Sequence, residues 1–155
     1  MKEQNIRLHI VLDNIRSAFN VGSIFRTADA VGGCKLYLCG MTATPDNPKI
    51  LKTALGSQIS VPSVYFKNVL DAIEEIKKHN IPVFAVELSQ QSEHFQTVKY
   101  PNPVALVFGH ERNGVNNLIL DRADKIVSIP MKGIKESLNV ANSAGIVLYE
   151  AVRGS

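Results

Sequence analysis

Short, continuous apolar runs alternate along this chain with longer segments in which apolar residues return every three or four positions. The runs are Leu8–Leu12, Leu36–Cys39, Val64–Phe66, Pro82–Glu87, Val104–Phe108 and Lys125–Ile129. They are the length of strands, and they carry no polar alternation. Between them, Val21, Ile24, Phe25, Ala28 and Val31 mark one face of a helix that opens at Asn20 and stops at Gly32-Gly33. Ile50–Leu55 and Asn116–Asp121 predict two short helices. Asn68 is placed to cap a helix carrying Val69, Leu70, Ile73 and Ile76. Asn139 is placed to cap a last one carrying Val140, Ala144, Val147, Leu148 and Ala151. Strands that are apolar throughout, interleaved with amphipathic helices, predict an α/β fold: a mostly parallel sheet with helices on both faces. In such sheets ligands bind at the carboxyl ends of the strands, which directs attention to the loops 13–19, 88–101, 109–115 and 130–138.

The chain has 155 residues, 45% hydrophobic and 20% charged, with no internal repeat and no linker-like stretch. This predicts a single domain over 1–155 and excludes a disordered chain. Lys and Arg number 17 against 14 Asp and Glu, a formal +3 that permits an anionic partner without requiring one. Met1–Arg7 lacks the basic-then-apolar pattern of a secretory leader, and no apolar run approaches the roughly 20 residues of a membrane span. A cytoplasmic protein with no membrane association is expected. Cys34 and Cys39 are an odd number of positions apart on one strand, so they should face opposite sides of it as buried, unreactive thiols. His9, His79, His94 and His110 show no ligand spacing, and no metal is expected.

The common nucleotide signatures are missing. No G-x-G-x-x-G follows a strand. Gly109 and Gly114 have phosphate-loop spacing, but Val115-Asn116 stand where Lys and Ser or Thr are required. Three other stretches carry the chemistry. Asn20 and Arg26 share a helix that starts beyond the first strand. Their separation is about 9 Å of rise, and helical side chains lean toward the N-terminus, so the Arg26 guanidinium should come close to the Asn20 amide. In Phe108-Gly109-His110-Glu111-Arg112-Asn113-Gly114-Val115, two glycines bracket a carboxylate after a buried strand. The pattern predicts a tight turn that presents Glu111, or alternatively a surface pair of Glu111 with Arg112 or Lys132. From Pro130 through Gly133, Ser137, Leu138 and Asn139, a loop closes onto a helix N-terminus with its free N–H groups. Gly145, in mid-helix, costs about 1 kcal/mol against alanine and implies a close neighbour.

Taken together and in this order, the three stretches resemble the signature motifs of the SpoU/TrmH group of SPOUT RNA methyltransferases, over about Arg7 to Arg153, including the small-residue link from Thr53-Ala54-Leu55-Gly56-Ser57 to Pro62. The resemblance implies an S-adenosylmethionine-dependent enzyme that methylates a ribose 2′-hydroxyl of structured RNA, tRNA first and rRNA next. It also implies a SPOUT-type fold with a C-terminal trefoil knot, and a homodimer whose first and last helices meet. Arg26 matches the family's catalytic arginine, Asn20 the asparagine that orients it, Glu111 the acidic residue of the second motif, and Ser137 and Asn139 the polar pair of the third. Leu88, Gly109, Ile129, Met131 and Leu138 match positions that cradle the methyl donor, largely through backbone groups.

A ribose hydroxyl needs its proton withdrawn as it attacks, and an arginine is normally a pure donor. Either an RNA phosphate relieves Arg26 of a proton so that it can accept another, or Arg26 stays charged and stabilises the forming alkoxide. Arg16, Arg26, Lys49, Lys52, Arg112, Lys132 and Lys135 lie in or near the edge loops where phosphates would sit. Of the loop aromatics Phe19, Phe95 and Tyr100, Phe19 is best placed to stack on a base, although its position reads as core. Two alternatives are a knotted RNA-binding protein without turnover and a SPOUT enzyme that methylates a base.

Overall fold

Seven strands lie side by side in one sheet in the computed structural model, which describes residues 5–154, and every neighbouring pair is parallel. The leader reading at Met1–Gln4 and the final residue of the expected 1–155 domain lie outside the described residues. In chain order the elements are β1 (Leu8–Asp13), α1 (Ala18–Val31), β2 (Cys34–Cys39), α2 (Pro48–Ala54), α3 (Ser57–Ser60), β3 (Ser63–Phe66), α4 (Val69–Lys78), β4 (Val83–Val86), β5 (Glu93–His94), β6 (Val104–Phe108), α5 (Asn117–Arg122), β7 (Lys125–Ser128) and α6 (Val140–Ala151). The spatial order is β3-β2-β1-β6-β4-β7-β5.

Period-two side-chain direction divides the core into two layers. Leu8, Ile10 and Leu12 of β1, Leu36 and Leu38 of β2, and Leu106 and Phe108 of β6 face a cluster closed by Ile24 and Phe25 of α1, Ile50 of α2, and Val147 and Leu148 of α6. Val11, Tyr37, Ala85, Ala105 and Val107 face the other layer, closed by Ile73 and Ile76 of α4 and Ile119 of α5. The strands are apolar throughout because both of their faces are covered. Cys34 and Cys39 fall in opposite layers as free, buried thiols, and burial pushes each thiol up to about 12.

Three details differ from the sequence expectation. Helix α1 begins two residues early, because Ser17 has the extended backbone of a cap and its hydroxyl oxygen accepts the Asn20 N–H; Asn20 lies inside the first turn. A four-residue helix α3 follows Gly56, which has a φ of +97°, and a two-residue edge strand β5 pairs with β7. Neither carries an apolar periodicity that would announce it. Asn68 and Asn139 cap α4 and α6 as expected, and Asn116, expected to open the short helix, is the cap of α5. Among the described residues, no helix is long and apolar enough to cross a membrane.

Candidate functional site

The loops leaving β4, β6 and β7 meet at the carboxyl edge of the sheet and enclose a cleft of about 790 Å³. Its size lies within the usual range of small-molecule sites. Leu88 from the first loop, Gly109 from the second, and Ile129, Met131 and Leu138 from the third all line it, so the structure brings together all five expected donor-binding positions. Glu111 and Ser137 line it too. Gly109 is required by space: a Cβ there would lie 2.3 Å from the Gly114 carbonyl oxygen and 2.6 Å from Val115 Cα. The turn between them closes through the Gly114 N–H donating to His110 O and through His110 Nδ1, which accepts the N–H groups of Arg112 and Asn113.

Glu111 does not pair with Arg112 or Lys132. Its two carboxylate oxygens accept the N–H groups of Arg16 and Ser17, each at 3.1 Å, just ahead of α1. An anion there also meets the positive end of the helix dipole. Burial raises the carboxyl, but the backbone N–H groups of Ser17, Arg16 and Glu111 itself, with His110 nearby, outweigh it and hold Glu111 below the usual carboxylate range. A group held low in the folded state contributes stability above its unfolded range, and that contribution is lost as pH falls through the folded value. Glu111→Gln is therefore expected to be less stable than the parent at neutral pH, with the gap closing toward acid, in urea melts at a series of pH values. A gap that widens toward acid would contradict the assignment.

Asn139 joins the third loop to the first helix. Its Oδ1 accepts the N–H groups of Ala141 and Asn142 at the start of α6, while its Nδ2 donates to Asn20 Oδ1 at 3.2 Å. Four of the five expected catalytic residues thus stand in one connected region, Asn20 and Asn139 by direct bond, Glu111 and Ser137 on the cleft wall. Arg26 does not join them by contact: it is exposed and makes no hydrogen bond or ion pair among the described residues, so the expected approach to the Asn20 amide is not seen. Neither Asn20 nor Arg26 lines the cleft. Arg26 shares an outward face of α1 with Phe19, which is 45% exposed and not a core residue. Phe95 and Tyr100, in contrast, pack against the core. At Gly145, no atom of the described residues outside its own stretch of α6 lies within 4 Å of where its Cβ would be, so no close neighbour comes from within this chain.

The seven edge cations, Arg16, Arg26, Lys49, Lys52, Arg112, Lys132 and Lys135, are all exposed, and none enters an ion pair among the described residues. No group of three or more metal-ligating side chains occurs among those residues either. One residue of the site was not legible beforehand. Glu87 lines the cleft and bonds to two of its walls, yet in sequence it looks like the polar exit of an apolar strand. A carboxylate immediately after a parallel strand, at the edge where ligands bind, was the available signal.

A model of the SpoU rRNA methylase family matches residues 7–149. The tRNA (guanosine(18)-2′-O)-methyltransferase of Aquifex aeolicus is 38% identical over 147 residues, covering 94% of this chain and 69% of that protein. A structure of an AdoMet-bound rRNA methyltransferase from Sinorhizobium meliloti superposes with a TM-score of 0.90 at 32% identity, over 99% of this chain and 58% of that one. A structure reported for 2-OH methylation of C/U34 on tRNA superposes with a TM-score of 0.83 at 29% identity, over 94% of both chains. The chain spans between 52% and 74% of the curated relatives it matches.

Proposed function

The chain belongs to the SpoU rRNA methylase family, and from that premise we propose that it moves the methyl group of S-adenosylmethionine to a ribose 2′-hydroxyl of a structured RNA, with tRNA the first substrate and rRNA the second. The observation that carries this reading is the cleft itself, where the three loops holding the expected donor-binding positions converge and are tied to α1 through Asn139 and Asn20.

The lining suits such a donor. Leu88, Ile129, Met131 and Leu138 offer apolar surface for its base and methionine arm, and Gly109 permits close backbone approach. Bound there, S-adenosylmethionine would supply an electrophilic methyl group. The chain's own residues do the remaining work. Exposed Arg26 and its six companion cations hold RNA phosphates, which makes binding fall steeply with salt. Phe19, on the same face as Arg26, offers a ring on which an unstacked base can rest. Arg26 then either accepts the hydroxyl proton, once a phosphate has relieved it of its own, or remains charged beside the forming alkoxide.

Because Arg26 stands outside its own chain's cleft, the proposal includes a homodimer in which it serves the partner's cleft. Open space over Gly145, with Ile146 and Tyr149 exposed beside it on α6, supports that contact. The trefoil threading of the family is part of the same reading, supported by the late strands β6 and β7 flanking β4 on either side, with the earlier β5 lying beyond β7. The test is to incubate the protein with radiolabelled S-adenosylmethionine and, separately, total tRNA and rRNA, then hydrolyse with alkali. Label in alkali-resistant dinucleotides is expected from tRNA. Label in mononucleotides would assign a base methylase, and RNA binding without label would assign a non-catalytic binder.

A further inference from the structure

We propose that Glu87 is the positioning residue that holds the methyl-donor cleft in its binding shape, by fastening all three of its loops to one another. This inference rests on the donor reading above and names a residue outside the three motifs that led to it.

Glu87 sits immediately after β4 and bonds in three directions. Its backbone N–H donates to Val127 O at 2.9 Å, which fixes it to β7 two residues ahead of Ile129. Its Oε2 accepts the Val115 N–H at 2.7 Å, at the far end of the turn that begins with Gly109. Its Oε1 accepts the N–H of Leu88 at 3.0 Å. The carboxylate thus fastens the β4 and β6 loops to each other, at Leu88 and Val115, while the backbone of the same residue sets the register of β7 two residues ahead of Ile129.

The packing around the carboxylate is equally restrictive. A Cβ on Gly114 would fall 2.0 Å from Glu87 Oε2, and Gly114 has a φ of +67°, so only glycine fits beneath the carboxylate. Gly114 and Val115 in turn press on Gly109 so closely that it too has no room for a Cβ. Carboxylate, Gly114 and Gly109 form a stack, and removing the carboxylate would free the turn to move away from the β4 loop. The backbone groups that should contact the donor would then have to be ordered at the moment of binding, which weakens affinity without changing the chemistry.

The experiment measures S-adenosylhomocysteine affinity by calorimetry, together with methyl-transfer kinetics. Glu87→Ala is expected to weaken S-adenosylhomocysteine binding at least tenfold and to raise KM for S-adenosylmethionine in parallel, with kcat at saturating donor within threefold of the parent and KM for RNA unchanged. Glu87→Gln keeps the shape but has one oxygen to accept with, so it should weaken binding two- to fivefold and speed amide exchange at Val115 or Leu88. Glu87→Ala binding within twofold of the parent would overturn the proposal, as would unchanged affinity and exchange in Glu87→Gln, the variant to read if alanine prevents folding. A parent protein that binds no S-adenosylhomocysteine would instead remove the donor reading itself.

Discussion

Replacing Arg26 with alanine is expected to lower methyl transfer by a factor of about 10³ or more while leaving S-adenosylhomocysteine affinity within twofold and the melting curve unchanged. The three parts follow from where the side chain stands. Arg26 is exposed and bonded to nothing among the described residues, and substitutions at such positions usually change stability by no more than about 0.5 kcal/mol. It does not line the cleft, so the donor should bind as before. What disappears is the group available to the reacting hydroxyl, whether that group is a base, typically about 10²–10⁴ in rate, or an electrostatic donor, about 10²–10³. Arg26→Lys separates the two. Lysine keeps the charge without the guanidinium fork, so partial recovery would favour the charged clamp, and no recovery would favour a role specific to arginine. Turnover of Arg26→Ala within tenfold of the parent would remove the assignment.

Gly22→Ala is expected to destabilise the fold by about 3 kcal/mol, the upper range for overpacking. By intrinsic propensity the same change in a helix interior should stabilise by about 1 kcal/mol. The sign reverses because the added Cβ would lie 2.0 Å from Thr53 Oγ1, 2.6 Å from the Ile50 carbonyl oxygen and 3.1 Å from the Ala54 backbone nitrogen. Two of those atoms belong to the backbone of α2 and cannot rotate aside. The third donates to the Phe19 carbonyl at 2.8 Å, so α1 and α2 must part and break that bond. For a chain of this length the expected fall in Tm is about 6–12 °C. Gly145→Ala is the control in monomeric conditions, since nothing in the chain obstructs it. A Gly22→Ala protein as stable as its parent would show that α2 is free to shift.

The two glycines illustrate what sequence could and could not convey. Gly145 looked like a close contact because glycine in mid-helix is costly, yet none of the described residues outside α6 approaches it; Gly22, equally mid-helical, is where two helices touch. Composition at one position carries no information about which distant segment approaches it. Strands and long helices were legible, because burial on both faces writes itself as unbroken apolar runs, and because Asn68 and Asn139 cap where caps are expected. The order of the strands was not, since parallel neighbours are set by packing between residues far apart in sequence. Helix α1 starts ahead of Asn20, with Ser17 as its cap, where the loop from β6 reaches back and Glu111 receives the N–H groups of Arg16 and Ser17. Glu87 was missed for the same reason: its partners Val115 and Val127 come later in the chain.

The strand order also bears on how the protein is made. Leu8 of β1 pairs with Val104 of β6, and β4 lies between β6 and β7, both of which follow it. A ribosome adding about 5–20 residues per second would expose β1 roughly 5–20 s before its central partner emerges. Throughout that interval a nascent β1, even with β2 alongside, has one unsatisfied edge. Until β6 is available, that edge is open to pairing with the wrong strand.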